Sequence, residues 1–183
     1  MINLPINDKY ALRSFRASDK ETLVRLANNA RVSINLRDGF PYPYTMSDAD
    51  NWFETALHQS PETIFALAEN DHLIGGTGFH PLDDVYRYSA EVGYWLGEPF
   101  WGKGIATGAV RTLVDYAFST TELIKLFAGV FSNNQASARV LEKNGFTQEG
   151  TLKNSVVKRG QVLHELRYGL LREEWETRYK KSW

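Results

Sequence analysis

The chain contains 183 residues with a formal net charge of −1, and its apolar, aromatic and charged fractions are those of an ordinary globular protein. This length predicts a single domain over residues 1–183 with a full hydrophobic core. Charges of both signs are interspersed without a basic stripe, so neither nucleic acid nor an anionic membrane is expected as a partner. The sequence has no cysteine, which excludes a disulfide framework, a thiolate zinc site and a cysteine nucleophile.

The N-terminal segment gives no sign of a targeting sequence. It lacks the basic start and apolar core of a signal peptide, and no apolar run in the chain is long enough to span a bilayer. A cytoplasmic location is therefore the expectation. The oligomeric state stays open, with a homo-oligomer as one alternative.

Hydrophobic periodicity predicts the element order β-α-α-β-β-β-α-β-α-β-β. The central strand–helix–strand unit implies one parallel pair inside an otherwise largely antiparallel sheet, so the fold class is mixed α/β. The predicted strands are 10–15, 63–69, 72–79, 86–96, 124–131, 146–157 and 161–171. The predicted helices begin near residues 18, 47, 104 and 136, and the charged tail 172–183 is also predicted to be helical.

Local signals set several boundaries in the first half of the chain. Ser18 and Glu21 match a capping box, which predicts the start of the first helix, and residues 47–50 are predicted to cap the second. Residues 70–71 match a two-residue hairpin turn. The aromatic, proline-rich segment 37–45 is either a stiff cover of the core or a wall of an acceptor pocket.

The stretch 91–110 changes from strand to helix across a glycine-rich turn. Strand alternation ends at Leu96, and helical spacing begins at Gly104. Such a turn aims backbone N–H groups and a helix N-terminus at a phosphate, and Lys103 adds a cation. The stretch therefore predicts a pyrophosphate site at residues 101–107, the glycine turn, although a plain strand–turn–helix corner would also need one or two glycines.

Three known phosphate-binding motifs differ in how well they fit the glycine turn. A P-loop needs a hydroxyl residue where the chain has Gly104, and the dinucleotide fingerprint needs a glycine where it has Thr107. The third motif, Arg/Gln-x-x-Gly-x-Gly/Ala, resembles residues 101–106, with Trp101 in place of Arg or Gln. This third motif belongs to the GCN5-related N-acetyltransferases (GNAT).

A second block makes the resemblance more specific. Asn134 and Ser137, followed by residues 140–146, are similar to the family's Asn-x-x-Ser and Glu-Lys-x-Gly-Phe block, and they lie after the next strand, as the family requires. Residues 90–96 and 145–150 resemble the Rim-type branch, which contains acetyltransferases of ribosomal-protein N-termini. The resemblance covers roughly residues 10–171.

The resemblance implies a GNAT-like fold, with helices on both faces of a mostly antiparallel sheet and one parallel βαβ unit. It also implies acetyl-coenzyme A as the donor, bound in a V-shaped split between the two parallel strands. No metal is expected, because His58, His72 and His80 lack ligand spacing. The residues implied to bind the donor are Tyr94, Trp95, Leu96, Trp101, Gly102, Lys103, Gly104, Ile105, Ala106, Thr107, Asn134 and Ser137.

The same resemblance assigns roles to these residues. The pyrophosphate is expected to meet backbone N–H groups of the glycine turn, where a β-carbon at Gly104 would crowd the phosphate and the helix start. The pantetheine arm is expected to pair with 94–96 at a bulge, where the Tyr94 N–H could polarise the thioester carbonyl. Asn134 is expected to bond the pantetheine arm, and Ser137 to lie near the sulfur.

An amine acceptor must be neutral before it can attack the thioester. At pH 7.4 roughly a fifth of an α-amino group is already neutral, whereas only about one lysine side chain in a thousand is neutral. The free-energy cost of forming the neutral amine is therefore about 3 kcal/mol higher for a lysine. Glu91 is the candidate base, and its alternative is a solvated strand glutamate. Ser137 could stabilise the leaving thiolate, or it could be a helix-start residue.

Three functions are consistent with this pattern. The first is acetylation of a protein N-terminus, with a ribosomal protein as the expected partner. The second is acetylation of a small amine such as a polyamine or an antibiotic, for which Asp83, Asp84 and Glu91 are the only suggestive acidic cluster. The third is a non-catalytic acyl-coenzyme A-binding module, in which Glu91 and Ser137 are structural.

The histidines give no metal-ligand pattern. His58, His72 and His80 lack the spacing of a metal site. His164 alternates with apolar neighbours, which indicates either a satisfied, partly buried side chain or a group that meets the acceptor.

Overall fold

The computed structural model describes residues 1–179 of the chain. The strands are β1 (Asn3–Pro5), β2 (Tyr10–Arg13), β3 (Ile64–Glu69), β4 (His72–Pro81), β5 (Ser89–Leu96), β6 (Lys125–Phe131), β7 (Thr147–Lys158) and β8 (Gln161–Leu171). The helices are α1 (Lys20–Ala27), α2 (Ala30–Ser33), α3 (Met46–Ala56), α4 (Ile105–Thr120), α5 (Gln135–Lys143) and α6 (Arg172–Tyr179). Short 3₁₀ turns cover Ala17–Asp19, Asp84–Tyr86 and Glu98–Phe100.

The strands form one eight-stranded sheet in the order β1-β2-β3-β4-β5-β6-β8-β7. The pairs β1–β2, β2–β3, β3–β4, β6–β8 and β7–β8 are antiparallel, whereas β5 and β6 are parallel. Helix α4 lies between the two parallel strands in sequence, as a crossover connection requires. The predicted mixed α/β fold with one parallel pair is confirmed.

The chain is divided into two compact units, each of them discontinuous in sequence. The first unit contains Met1–Gly78 and Tyr94–Leu113, and the second contains Phe79–Gly93 and the chain from Val114 onward. The expectation of a single domain over residues 1–183 stays a prediction. Within residues 1–179 no helix is long and apolar enough to cross a membrane.

The core of the first unit is rich in aromatic side chains. Phe15 lies edge-on to Trp52 and Phe53, with ring centroids 6.1 and 5.9 Å apart. Phe40, from the aromatic segment after α2, packs on Trp95 of β5 at 5.3 Å. Segment 37–45 therefore covers the core with at least one buried face, which is one of its two predicted roles.

The second unit fixes the end of α4. The guanidinium of Arg172 donates to the carbonyl oxygens of Phe118, Thr121 and Leu123, each at 2.7 Å. These bonds satisfy carbonyl groups at the helix end that have no intrahelical partner. The indole N–H of Trp175 donates to Asp115 at 2.7 Å, which docks α6 on α4. The predicted tail helix is confirmed as far as Tyr179, and the remainder of that prediction lies outside the described residues.

The predicted cap of the first helix is wrong. The Asp19 carboxylate, not Ser18, accepts the Arg16 backbone N–H at 2.9 Å. It also accepts two bonds of 2.8 Å from the Arg13 guanidinium, and both side chains are buried. The sequence pattern did not reveal this because the cap belongs to a short 3₁₀ turn that precedes α1.

Other boundaries differ by a few residues. Thr45 caps α3, two residues before the predicted cap, and its hydroxyl accepts the Asp48 N–H at 3.3 Å. Strand β5 begins at Ser89 rather than at Tyr86, because the preceding residues form a 3₁₀ turn. Strand β1 and helix α2 were not predicted, since each is too short for a periodic pattern.

The hairpin between β3 and β4 is confirmed. Glu69 pairs with His72, and the two turn residues Asn70 and Asp71 have φ of 45° and 71°. Positive φ at both positions is the geometry of the tight turns that match the twist of paired strands, and Asn and Asp tolerate it.

The buried Tyr44 predicts a pH dependence of stability. Burial, with a smaller effect of the Asp48 charge, raises the pKa of Tyr44 to about 12. An unfolded tyrosine loses its proton near pH 10, so from pH 10 to 12 the folded state holds the proton more tightly. The free energy of unfolding should therefore fall as pH rises, by at most about 1.4 kcal/mol per pH unit from this group.

Chemical denaturation between pH 9 and 11 measures this slope. The Tyr44→Phe variant keeps the ring and removes the titrating hydroxyl, so its slope should be shallower than that of the wild type. Equal slopes for the two proteins would contradict the assignment.

Candidate active site

The end of β5 and the start of α4 are joined by a turn with fixed geometry. The Gly97 N–H donates to the Ile74 carbonyl of β4 at 2.9 Å, and Phe100 N–H returns to the Gly97 carbonyl at 3.0 Å. The indole N–H of Trp101 donates to the Leu96 carbonyl at 2.7 Å. The turn is therefore tied to β4 at one end and to β5 through Trp101 at the other.

The glycine turn has the backbone that a phosphate site needs. Gly102 and Gly104 both have φ of +74°, a conformation that side chains rarely adopt. A β-carbon at either residue would meet no protein atom within 4 Å, so space is open in front of both. Crowding of the helix start by a Gly104 side chain, expected from the sequence, does not occur, and the open space is what a ligand could fill.

The first turn of α4 follows Gly104 directly. The Gly108 N–H donates to the Gly104 carbonyl at 3.2 Å. The N–H groups of Ile105, Ala106 and Thr107 precede it, and the first turn of any helix lacks intrahelical acceptors for such groups. The side chain of Ile105 is buried in the core, so only its backbone can serve a ligand.

Lys103 supplies a cation to the glycine turn. Its ammonium group donates to the Pro99 carbonyl at 3.0 Å and lies 5.6 Å from the centroid of the Phe100 ring. The residue is exposed, as are Trp101, Gly102 and Gly104. The turn thus combines oriented N–H groups, an accessible surface and a positive charge, which together suit an anionic ligand.

The last residues of β5 divide between core and surface. Leu96 is buried, and Trp95 packs in the aromatic core, so the side chains of these two residues belong to the fold. Tyr94 is half-buried. A donor site at residues 94–96 would therefore use the backbone, as the sequence predicted.

The parallel ladder between β5 and β6 is short. It joins Ser89 to Lys125 and ends where Glu91 pairs with Phe127. Strand β6 continues to Phe131, and over that length it stays paired with β8. In the described part of the chain, the ladder therefore stops at the candidate base Glu91. The predicted bulge at Tyr94 and the role of Glu91 stay predictions.

Asn134 caps helix α5. Its side-chain oxygen accepts the Ser137 N–H at 3.2 Å, so that oxygen serves the helix. A ligand could still bond to the NH₂ group of Asn134 or to the second lone pair of that oxygen. Ser137 lies in the first turn of α5, so its alternative as a helix-start residue stays open. The catalytic assignment of Ser137 stays a prediction.

His164 has a structural partner that the sequence did not reveal. Its Nδ1 accepts the Asn154 N–H at 3.0 Å, and Asn154 lies in an irregular stretch of β7 with φ of 53°. The backbone of His164 exchanges bonds with Ser132, just before α5. The predicted satisfied histidine is confirmed, but its side chain is exposed rather than partly buried.

No group of three or more His, Cys, Asp or Glu side chains within residues 1–179 could hold a metal ion. The acidic residues named for a polyamine site lie on two different elements. Asp83 and Asp84 are exposed at the 3₁₀ turn before β5, whereas Glu91 lies inside the strand.

Comparison with known proteins gives matches over nearly the whole chain. A family model described as an acetyltransferase (GNAT) domain matches residues 10–147. YdaF of Bacillus subtilis (strain 168), whose name provisionally assigns it as a ribosomal N-acetyltransferase, is 32% identical over 96% of this chain and 98% of its own. The spermidine N(1)-acetyltransferase of Escherichia coli (strain K12) is 25% identical over 97% of this chain and 94% of its own.

Solved structures share the fold. The ribosomal L7/L12 α-N-protein acetyltransferase RimL, solved in complex with coenzyme A, superposes with a TM-score of 0.83 at 21% identity. The superposition covers 93% of this chain and 98% of the RimL chain. At this level of identity the likeness concerns the fold.

Proposed function

This chain belongs to the GNAT family and is an acetyl-coenzyme A-dependent N-acetyltransferase, and we propose that it acetylates the N-terminal α-amino group of a protein. A ribosomal protein is the first candidate for the acceptor. The observation that carries the proposal is the identity to YdaF, which extends over almost the full length of both chains.

The donor site proposed here is the glycine turn with the end of β5. The left-handed glycines, the open space in front of them and the N–H groups of the first helical turn all suit a pyrophosphate. Bound acetyl-coenzyme A supplies the activated acetyl group as a thioester. Because the contacts come from the backbone, Trp101 can replace the Arg or Gln of the family motif without loss of the phosphate site.

The proposed catalytic roles follow the chemistry of the acceptor. Glu91 takes a proton from the ammonium form of the amine, directly or through water, and so raises the neutral fraction. The Tyr94 N–H donates to the thioester carbonyl, where negative charge develops. Ser137 donates to the sulfur as it leaves. An α-amine needs only modest help from a base, because its pKa is near 8.

A small polyamine is the second candidate acceptor, and the spermidine acetyltransferase relative favours it. Such a substrate carries several positive charges and is best bound by clustered carboxylates. Asp83 and Asp84 lie at a 3₁₀ turn and Glu91 lies inside β5, so these three carboxylates belong to two different elements. A non-catalytic binding module has no support, since the family is one of transferases.

Thiol release from acetyl-coenzyme A separates the two acceptors. The assay compares a peptide with a free N-terminus, the same peptide with a blocked N-terminus and one internal lysine, and spermidine. Release with the first peptide alone is expected, and mass spectrometry should locate the acetyl group on the α-nitrogen. Release with spermidine alone would overturn the proposed acceptor while leaving the donor site in place.

Replacing Gly104 tests the donor site. The Gly104→Val side chain would fill the open space that the phosphate is proposed to occupy, and φ of +74° disfavours any β-branched residue. Calorimetry should find coenzyme A binding weakened at least about a hundredfold, since both effects act on the same turn. Gly39→Val, at another position with open space, is the control, and unchanged affinity in folded Gly104→Val would rule out this donor site.

Removing the Ser137 hydroxyl tests its role in turnover. If its bond to sulfur strengthens as negative charge develops, Ser137→Ala should lower kcat about tenfold to a hundredfold and leave the affinity for acetyl-coenzyme A nearly unchanged. Steady-state kinetics with direct binding measurements separate these quantities. A variant that loses donor affinity and keeps kcat would identify Ser137 as a binding residue instead.

The pH–rate profile of Glu91→Gln tests the base. With a free-N-terminus peptide the defect should be largest at low pH and should shrink above about pH 8, because the amine then loses its proton unaided. With spermidine the defect should persist to about pH 9, since its amines stay charged. A small, pH-independent effect with both acceptors would remove Glu91 from the mechanism.

A further inference from the structure

A carboxylate lies immediately before the glycine turn. Glu98 opens the 3₁₀ turn that precedes Trp101, and its backbone carbonyl accepts the Trp101 N–H at 3.2 Å. This bond keeps the acidic residue against the turn that is proposed to bind a pyrophosphate. An uncompensated negative charge in this position would repel the phosphates of the donor.

Both oxygens of this carboxylate are held by the start of α2. Oε1 of Glu98 accepts from Nη1 of Arg31 at 2.5 Å, and Oε2 accepts from the amide nitrogen of Asn29 at 2.7 Å. The partners are 67 and 69 residues apart in sequence. We call these three residues the clasp.

The clasp also reaches the first residue of the glycine turn. The Arg31 guanidinium carbon lies 5.7 Å from the centroid of the Trp101 ring, within the range of a cation–π contact. The indole is itself anchored by its bond to the Leu96 carbonyl. Arg31 thus places one positive charge against both the carboxylate and the turn.

The exposure of the Arg31–Glu98 ion pair indicates whether it should affect folding stability or ligand affinity. The Arg31 side chain is 73% exposed and that of Glu98 is 30% exposed. Exposed ion pairs contribute little to folding stability, because water and salt screen them. Phosphates bound at the glycine turn would still sense whether the adjacent carboxylate is neutralised, so ligand affinity is the sensitive quantity.

We propose that Arg31 is a positioning residue of the donor site, which neutralises Glu98 and keeps its carboxylate from repelling the phosphates of the coenzyme. The inference rests on the proposed donor site. Asn29 supports it by holding the second oxygen. Arg31 therefore offsets a charge that the chain itself carries, and it acts through Glu98 rather than by contact with the reacting atoms.

A double-mutant cycle with coenzyme A tests the proposal. Calorimetry compares the wild type with Arg31→Met, Glu98→Gln and the double variant. Arg31→Met should weaken binding about tenfold, Glu98→Gln should change it less than about threefold, and the double variant should bind like Glu98→Gln. The decisive result is that the second substitution restores the affinity. If the clasp only held the structure together, the double variant would bind coenzyme A at least as weakly as Arg31→Met.

Salt and charge controls sharpen the test. The Arg31→Met defect should shrink as ionic strength rises, since it is electrostatic. Arg31→Lys keeps the charge and should bind within about threefold of the wild type. Arg25→Met removes the same charge from an exposed side chain of α1, outside the clasp, and should leave the affinity unchanged. If Arg31→Met misfolds, Arg31→Gln removes the same charge and takes its place in the cycle.

Each outcome has one meaning. Unchanged affinity in Arg31→Met, or a double variant without restored affinity, would overturn the proposed role of Arg31 and leave the proposed donor site in place. If the wild-type protein does not bind coenzyme A, the proposed donor site and the proposed role of Arg31 are both overturned.

Discussion

The candidate site depends on how closely the end of β5 approaches β4. A β-carbon at Gly75 would collide with the Trp95 carbonyl, and one at Gly76 would lie 2.9 Å from the Trp95 indole nitrogen. The glycines of β4 therefore make room for β5, and Trp95 fills the space above them. The Gly97–Ile74 bond then fixes where the chain leaves the sheet, and so fixes where the glycine turn begins.

From that point the backbone determines the geometry of the proposed phosphate site. Two left-handed glycines reverse the chain into α4, and the N–H groups of its first turn follow directly. The far end of the same helix is held by Arg172, which donates to three carbonyl groups around it. The N–H groups at the start of a helix suit an anion whatever holds its far end.

The elements that could be predicted from the sequence depend on local patterns. The Asn70–Asp71 hairpin, β8 and the strand–turn–helix at Gly104 each follow from residues close together in the chain, and each is confirmed as an element. The missed features join distant residues or need exact geometry. Glu98 and Arg31 meet across 67 positions, and the irregular stretch of β7 at Asn154 is held by a histidine on the next strand. No periodicity records such contacts, because they arise only after the strands pair.

This contrast explains why the donor is easier to identify than the acceptor. Donor binding is assigned to backbone groups, so its mark in the sequence is a pattern of glycines. That pattern is present although Trp101 replaces the Arg or Gln of the family motif, and the Trp101 indole bonds to the Leu96 carbonyl. Recognition of an acceptor requires side chains from loops and strand ends, whose neighbours the sequence does not give. The same acetyl transfer could therefore be directed to different acceptors by altering a few exposed side chains, with the strand, the glycine turn and the helix unchanged. Identifying the acceptor therefore depends on the surface side chains, whereas identifying the donor depends on the backbone geometry.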